Sequence, residues 1–352
     1  MIASASLAEQ ARWLLGTGLF DEAWYTTTYG DVLHAQMSPS EHYIRIGLLL
    51  DRKPGPDTTA EQVRAARARP LTLPSDGEDA TALWTRSRNS YQGPDRPAPG
   101  QKLPRVSVIM TAYNAEDTIT AAIASLQAQS YRDVEIVICD DVSTDGTWAK
   151  LQEVQTQDPD RIIITRNPEN LGTYAAKNRA LSLATGDVVL FQDSDDRSHP
   201  DRVMIQVLPL LEQPALIATR SAYARYNPET GKTIALGGKV SRIGLITLAV
   251  RRRIFDEIGY FEPVRRAGDD EWFQRLTHFS GAESILNINT VLYLAELRTD
   301  SLATDMLLTR PDGTLDQIPS PARRAYVDTF RARFADPAKD ATWFRTRFPG
   351  VG

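Results

Sequence analysis

The sequence predicts an α/β fold in which a mostly parallel sheet is flanked by helices, with a helical appendage before it and a helical tail after it. The first observation is that strand-like and helix-like segments alternate within residues 104–300, as in chains that build parallel sheets from βαβ units. The second is that residues 1–55 and 301–352 contain apolar residues at helical spacing. The third is a stretch rich in Pro and Arg, residues 56–103, which predicts a linker.

Each element is predicted by a local pattern. In the appendage, LAEQARWLL and EHYIRIGLLL have helical spacing, and a Ser-Pro-Ser start precedes the second. In the central part, four apolar runs predict strands: VSVIMTAY, EIVICDD, RIIITRN and DVVLFQD. Three amphipathic runs predict the helices between them: TITAAIASLQAQ, GTWAKLQEVQ and TYAAKNRALSLA.

Beyond residue 200 the pattern predicts a helix over RVMIQVLPLLEQ and then further strands and helices. The expected strands lie near 215–224, 232–236, 244–250 and 283–294, and the expected helices near 269–278 and 318–348.

Composition excludes several classes of protein. The chain is 42% hydrophobic and 24% charged, which is typical of a globular protein, and its net charge of −5 does not favour a nucleic-acid partner. The single cysteine, Cys139, excludes an intramolecular disulfide framework, and four scattered histidines lack zinc-ligand spacing. No apolar run is long enough to span a membrane, and the N-terminus lacks a signal-peptide pattern. We therefore expect a cytoplasmic protein.

Polar and acidic residues follow three of the predicted strands. The strand ends are Thr111-Ala112-Tyr113-Asn114, Asp140-Asp141 and Asp193-Ser194-Asp195-Asp196. Because ligands bind beyond the carboxyl ends of parallel strands, these residues predict a site at one edge of the sheet. Clustered carboxylates repel one another unless a cation balances them, and Mg²⁺ or Mn²⁺ commonly bridges such oxygens to substrate phosphates. The alternative is that Asp195, Asp196 and Asp201 only begin the next helix.

Three successive blocks carry a resemblance to a known family. VSVIMTAYN, DVEIVICDDVSTDGT and NLGTYAAKNRALSLATGDVVLFQDSDD resemble the conserved blocks of family 2 glycosyltransferases, which have the GT-A fold, and the resemblance covers about residues 104–300. It implies an inverting enzyme that moves a sugar from a nucleotide diphosphate donor with the help of Mn²⁺ or Mg²⁺.

The resemblance also implies roles for individual residues. Thr111, Ala112, Tyr113 and Asn114 would border the nucleoside, and Asp141 would accept a hydrogen bond from the base. Asp193 and Ser194 would lie near the ribose, and Asp195, with Asp193, would hold the metal ion. Lys177 would neutralise the diphosphate, or it is a solvated helix lysine. Tyr113 would stack on the base, or it packs at the strand end. For Ser143 and Asp145 we expect only turn and capping roles.

The segment RRAGDDEWFQRLTHF resembles the family block that carries the catalytic base, an acid six residues before an Arg. Counting back from Arg275 selects Asp269, with Asp270 as the alternative base; Gly268 stands where the family usually has Glu. Asp269 could instead be an N-cap without catalytic duty. The late block LRTDSLAT lacks the family's usual histidine and leaves Asp300 as a candidate ligand.

The two ends leave alternatives open. The N-terminal part resembles a helical module of some bacterial polysaccharide glycosyltransferases, where it would dock partners or cover apolar surface. Residues 318–352 interleave basic and aromatic residues, which predicts either peripheral contact with the inner face of a membrane or packing of the aromatics onto the central part.

The predicted function is transfer of a sugar, from a UDP-sugar, to a saccharide or lipid-linked saccharide during synthesis of bacterial surface polysaccharide or glycoconjugate. The alternative of a different class is a non-catalytic sugar-nucleotide-binding or scaffold module. Nucleotidyl transfer is disfavoured because TAYNAEDT, after the first strand, is not a Gly-rich basic phosphate loop.

Overall fold

The computed structural model describes residues 7–16, 19–34, 37–68, 77–297, 307–309, 315–317 and 321–350. The chain divides into two compact units. The first contains the described residues of 1–74, 235–239 and 297–325, and the second those of 75–234, 240–296 and 326–352.

The first unit begins with four short helices: α1 (Leu7–Gly16), α2 (Glu22–Thr28), α3 (Pro39–His42) and α4 (Ala60–Ala68). Asp21 caps α2 by accepting the N–H of Trp24 at 2.9 Å, and Ser38 and Glu41 form a reciprocal capping box at the start of α3. Buried aromatic and aliphatic side chains, among them Tyr25 and Tyr43, form the core of this unit. The predicted helical character of the appendage is confirmed.

The second unit contains one sheet of ten strands: β1 (Val106–Ala112), β2 (Val134–Asp140), β3 (Ile162–Arg166), β4 (Val188–Asp193), β5 (Arg197–Ser198), β6 (Ala218–Tyr226), β7 (Thr233–Ile234), β8 (Ser241–Ile243), β9 (Ala249–Arg251) and β10 (Ile285–Glu296). Strands β3, β2, β1 and β4 are neighbours in that order and all parallel. Beyond β4 the sheet is mixed, because β9 is antiparallel to both β4 and β6, while β6 and β10 are parallel to each other.

The remaining helices are α5 (Ala80–Asn89), α6 (Ile119–Gln127), α7 (Thr147–Gln157), α8 (Thr173–Leu183), α9 (Arg202–Glu212), α10 (Arg253–Ile258), α11 (Gly268–Ser280), α12 (Pro321–Phe334) and α13 (Ala341–Arg347). A two-stranded antiparallel ladder, β11 (Leu307–Thr309) and β12 (Leu315–Gln317), belongs to the first unit. The predicted linker, 56–103, contains α4 and α5; Asp79 caps α5 by accepting the N–H groups of Thr81 and Ala82.

Helices cover both faces of the sheet, as predicted. Alternate residues of β1 point to opposite faces, so that Val108 joins a core with α6, α7 and α9 while Ile109 joins a second core with α8, α10 and α11. Cys139 is fully buried in the second core, and burial raises the pKa of its thiol to about 12.

The aromatic residues of the C-terminal tail pack inward. Phe344 and Phe348 are buried and lie against the guanidinium of Arg275, at 5.3 and 4.8 Å from their ring centroids. Arg333 forms an ion pair with Glu262 at 2.6 Å. Of the two alternatives for the tail, the structure shows the packing of aromatics onto the second unit. No helix in the described part of the chain is long and apolar enough to cross a bilayer.

Candidate functional site

The start of α8 is where the predicted site residues meet. The carboxylate of Asp141, just after β2, accepts the N–H groups of Leu171 and Gly172 at 2.9 and 2.7 Å and the side-chain amide of Asn167 at 2.7 Å. Gly172 has φ of +90°, a conformation that side chains with a Cβ rarely adopt. Asp141 therefore fixes the turn from which α8 begins.

The residues after β1 lie beside this turn. The hydroxyls of Thr111 and Thr173 are 3.1 Å apart, and the carbonyl of Ala112 accepts the N–H of Asp141 at 2.8 Å. Tyr113 is 52% exposed, so packing at the strand end does not describe it. Asn114 has φ of +49°, and its side-chain oxygen accepts the N–H of Thr144 at 2.8 Å, which joins this loop to the loop after β2.

The other polar residues of the loop after β2 have structural partners. Ser143 donates to buried Asp140 and accepts the N–H of Asn114 at 2.9 Å. Asp145 accepts the N–H groups of Thr147 and Glu116 at 3.0 and 3.1 Å, although the N-cap position of α7 is Gly146. The turn role expected for Ser143 and Asp145 is confirmed.

The loop after β4 brings its carboxylates close together. Asp193, Ser194 and Asp195 are partly exposed, whereas Asp196 is buried and accepts the N–H of Glu296 at 2.8 Å. Burial, and then the charges of Asp195 and Asp193, raise the pKa of Asp196 well above its ordinary value.

The prediction that these residues might only begin a helix is wrong for Asp195 and Asp196. Strand β5 follows them, and α9 starts at Arg202, after Asp201.

The loop after β4 is held by hydrogen bonds from side chains that were not predicted as site residues. Gln192 donates to the carbonyl of Asp196 at 2.7 Å and accepts from Ser198 and from the buried Arg202, at 2.6 and 3.1 Å. The hydroxyl of Tyr293 accepts the N–H of Asp193 at 3.0 Å. These contacts fix the backbone on which the acidic residues stand.

A divalent cation fits the chemistry of this loop. Asp193 and Asp195 are partly exposed beside the buried Asp196, and carboxylate oxygens are the ligands that Mg²⁺ and Mn²⁺ prefer. No three His, Cys, Asp or Glu side chains among the described residues form a ready metal site, so phosphate oxygens and waters would have to complete the coordination. Asp300 lies outside the described residues.

Lys177 points into the site. Its side chain is only 13% exposed, and its Nζ lies 4.0 Å from Asp193 Oδ1 and above the ring of Phe191, 5.5 Å from the centroid. The alternative of a solvated helix lysine is therefore wrong. A cavity of about 50 Å³ is lined by Lys177, Asp193 and Asp269 together with apolar side chains of α11 and of the segment 245–248.

The two candidate bases have different surroundings. Asp269, in the first turn of α11, lines this cavity and accepts the hydroxyl of Tyr174 at 2.5 Å. Asp270 accepts the side-chain amide of Gln274, one turn further along the same helix, at 3.0 Å and does not line the cavity. The N-cap position of α11 is Ala267, so Asp269 is not an N-cap.

Arg275, which served to locate the base, has a structural role. It pairs with the buried Glu271 at 2.5 Å and donates to the carbonyls of Ile258 and Tyr260 at 2.7 and 3.0 Å. The pair thus joins α11 to the end of α10. Tyr174 and Tyr293 were not selected from the sequence, because their partners Asp269 and Asp193 lie 95 and 100 positions away. Gln192 and Arg202 were not selected because their hydrogen bonds depend on how the segment between β4 and α9 folds.

Comparison with known proteins gives the following similarities. Residues 107–277 match the family model described as "Glycosyl transferase family 2". A segment of 91 residues, 26% of this chain, is 44% identical to 35% of the Escherichia coli "UDP-Glc:alpha-D-GlcNAc-diphosphoundecaprenol beta-1,3-glucosyltransferase WfaP". A segment of 110 residues, 30% of this chain, is 37% identical to 36% of the Erwinia amylovora "Amylovoran biosynthesis glycosyltransferase AmsB".

In each case the matched segment spans little more than a third of the curated relative. Among solved structures, Staphylococcus aureus TarS 1–349 in complex with UDP-GlcNAc has a TM-score of 0.47 at 20% identity, over 69% of this chain and 74% of that one. The mannosyltransferase PcManGT from Pyrobaculum calidifontis, in complex with GDP-Man and Mn²⁺, has a TM-score of 0.43 at 20% identity, over 72% of this chain and 69% of that one.

Proposed function

We propose that this chain, whose residues 107–277 match the model of glycosyl transferase family 2, is a metal-dependent inverting glycosyltransferase that uses a UDP-sugar. The observation that carries the proposal is the cavity lined jointly by Lys177, Asp193 and Asp269. These residues come from three separate blocks of the sequence. Lys177 offers a positive charge for a diphosphate, Asp193 offers a carboxylate at the loop after β4, and Asp269 offers a base.

The nucleoside would lie against the loops after β1 and β2. Tyr113 is exposed enough to stack on a base. A carboxylate offers about four acceptor positions, and the side chain of Asp141 uses three of them for Asn167, Leu171 and Gly172. One position is thus left for the imide N–H of a uracil, while Thr111, Ala112 and Asn114 shape the surrounding backbone.

The diphosphate would lie between Lys177 and the loop after β4. Asp195, with Asp193, would hold a Mn²⁺ or Mg²⁺ ion, which when bound stabilises the negative charge of the leaving diphosphate. Ser194 and Asp193 would border the ribose. Lys177 would neutralise phosphate oxygens as a point charge, since the ammonium lacks the fork of an arginine.

Asp269 would act as the general base. Transfer with inversion requires the acceptor hydroxyl to lose its proton as it attacks the sugar from the side opposite the diphosphate. Asp269 fits this role because it lines the same cavity as Lys177 and Asp193. Asp270 fits it less well because its carboxylate bonds along its own helix.

The substrate class is proposed from the relatives. WfaP is named for transfer from UDP-Glc to a lipid-linked GlcNAc, and AmsB for synthesis of a polysaccharide. We therefore propose a hexose donor and a saccharide or lipid-linked saccharide acceptor of a bacterial surface polymer. The reaction would occur at the cytoplasmic face of the membrane, where the exposed Arg331, Arg345 and Arg347 of the tail would meet anionic lipid.

The test is hydrolysis of a donor panel, in which water replaces the unknown acceptor. UDP-glucose, UDP-GlcNAc and GDP-mannose are incubated with the full chain and Mn²⁺ or Mg²⁺, and release of the nucleotide diphosphate is measured. We expect turnover of a UDP-sugar that EDTA abolishes. Binding of UDP without turnover of any donor would favour the alternative, a non-catalytic module.

The base is tested by the pair Asp269→Asn and Asp270→Asn. A missing general base costs about 10²- to 10⁴-fold in rate, so Asp269→Asn should lower kcat by that factor while UDP still binds. Asp270→Asn is the matched control, since it makes the same change one residue along the helix, and it should retain most activity. The reverse result would assign the base to Asp270.

A further inference from the structure

A hydrogen bond joins Tyr174 of α8 to Asp269 of α11. Tyr174 lies in the first turn of α8 and is only 6% exposed, and its hydroxyl donates to Asp269 Oδ1 at 2.5 Å. This is the only hydrogen bond of the Asp269 carboxylate within the described residues, so it leaves Oδ2 available.

Gly268 makes room for the tyrosine. A Cβ added at Gly268 would lie 2.9 Å from both Cγ and Cδ2 of Tyr174, closer than real Cβ contacts come. Gly268 does not have a positive φ, although Ala267 before it has φ of +60°. Space, and not backbone conformation, therefore requires glycine at this position.

The ring of Tyr174 has little freedom to move aside. Phe261 packs against it with the ring centroids 5.9 Å apart, and Lys177 Nζ lies 5.7 Å from its centroid. The start of α8 is itself fixed, because Asp141 holds the N–H groups of Leu171 and Gly172. A side chain added at Gly268 would thus displace the ring and break its hydrogen bond with Asp269.

We infer that Tyr174 is a positioning residue for the base and that Gly268 is glycine in this chain to admit it. The inference rests on the proposed function. The hydroxyl fixes Asp269 Oδ1 and so holds the carboxylate in one rotamer, which leaves Oδ2 to accept the proton of the attacking hydroxyl. A carboxylate without this bond would rotate about its last torsion and spend less time in the productive geometry.

The arrangement also links the donor and the base. Asp141, proposed to contact the nucleoside, fixes the start of α8, and Tyr174 and Lys177 project from the first turns of that helix. One rigid helix start thus sets the positions of the base, through Tyr174, and of the cation for the diphosphate.

The experiment is a double-mutant cycle measured by donor hydrolysis in the full chain. Tyr174→Phe removes only the hydroxyl and keeps the ring. It should lower kcat by about tenfold or more, because misplacement of a reacting group is costly, with KM for the donor and the affinity for UDP changed less than about twofold. Gly268→Ala should lower kcat by a similar factor.

The second half of the cycle uses Tyr174→Ser, in which the ring is absent. Adding Gly268→Ala to Tyr174→Ser should change kcat by less than about twofold, since no clash remains. An equal loss from Gly268→Ala in both backgrounds would overturn the steric link. A Tyr174→Phe variant with unchanged kcat would overturn the positioning role. Thermal unfolding of each variant establishes that it is folded.

Failure of the inference can be separated from failure of the proposed function. If the unmodified chain hydrolyses a donor and Asp269→Asn does not, an active Tyr174→Phe overturns only the inference. If the unmodified chain hydrolyses no donor, both fall. A crystal structure of Gly268→Ala gives a readout without activity: a Tyr174 hydroxyl still within hydrogen-bond distance of Asp269 would overturn the steric link.

Discussion

The loops after β2 and β4 both carry paired aspartates at the same edge of the sheet, but their carboxylates have different surroundings. After β2, Asp141 and Asp145 accept backbone N–H groups, and Asp140 is fully buried in an ion pair with Arg166 at 2.9 Å. After β4, Asp193 and Asp195 are partly exposed, and burial, followed by the charges of Asp195 and Asp193, raises the pKa of the buried Asp196.

The difference shows how two similar acidic pairs take different roles. A carboxylate that accepts several protein N–H groups fixes the shape of a loop. Carboxylates that repel one another at an exposed edge are suited to a ligand that brings positive charge. The loop after β2 therefore builds the site, whereas the loop after β4 is the part that would receive the cation. The predictions below test this division.

The largest effect is expected for Asp195→Asn. Loss of a charged metal ligand should weaken binding of UDP in the presence of Mn²⁺ by roughly a hundredfold, which corresponds to about 2.8 kcal/mol. Binding of UDP without metal should change little. Isothermal titration with and without Mn²⁺ measures both affinities.

The matched control is Asp160→Asn, which removes the same charge from an exposed acid between α7 and β3, at the opposite end of the parallel strands. Its affinity for UDP should be that of the unmodified chain. An equal loss in both variants would mean that overall charge, and not a ligand of the metal, explains the result.

A smaller effect, on the free energy of unfolding, is expected for Asp141→Asn. The amide places an NH₂ group where the carboxylate accepts N–H groups from Leu171, Gly172 or Asn167. A buried donor left without an acceptor costs about 1–3 kcal/mol, so the free energy of unfolding should fall by roughly 2 kcal/mol.

The comparison variant for Asp141→Asn is Asp193→Asn, in the other loop. Its side chain is 41% exposed and lies 4.0 Å from Lys177 Nζ, at the distance limit of an ion pair, so its replacement should cost less free energy of unfolding than that of Asp141. If Asp193→Asn destabilised the chain as much as Asp141→Asn, the division between the two loops would be wrong.

The smallest effect is expected for Asp145→Ala, which removes the acceptor for the N–H groups of Thr147 and Glu116 in an exposed turn before α7. Loss of hydrogen bonds of this kind costs about 1 kcal/mol. Urea unfolding should show this loss, and Asp145→Asn should recover part of it because asparagine keeps one side-chain oxygen as an acceptor. Donor hydrolysis by both variants should match that of the unmodified chain; a loss of turnover would give Asp145 a part in the site.

Much of the fold follows from local patterns in the sequence. The four parallel strands and the helices between them were predicted by apolar runs that alternate with amphipathic ones, because β1, β2 and β4 are buried on both faces and the helices on one. Strand β3, at the end of the sheet, is only partly buried. The part of the sheet beyond β4, where strands run in both directions, was harder to predict from the sequence. Strand β9 has three residues and lies between β4 and β6, and no local pattern specifies the partners of so short a strand.

Local patterns in the chain were enough to predict which carboxylates reach the edge of the sheet, because parallel strands end together there. The surroundings of each carboxylate depend on tertiary packing. Tertiary packing places Asp269 and Lys177, but not Asp270, in the lining of the cavity. It also places Tyr174 beside Gly268. The bond between Tyr174 and Asp269 joins residues 95 positions apart. A contact over that distance depends on how two helices pack, and helix packing is set by the whole core rather than by the residues near either end of the bond.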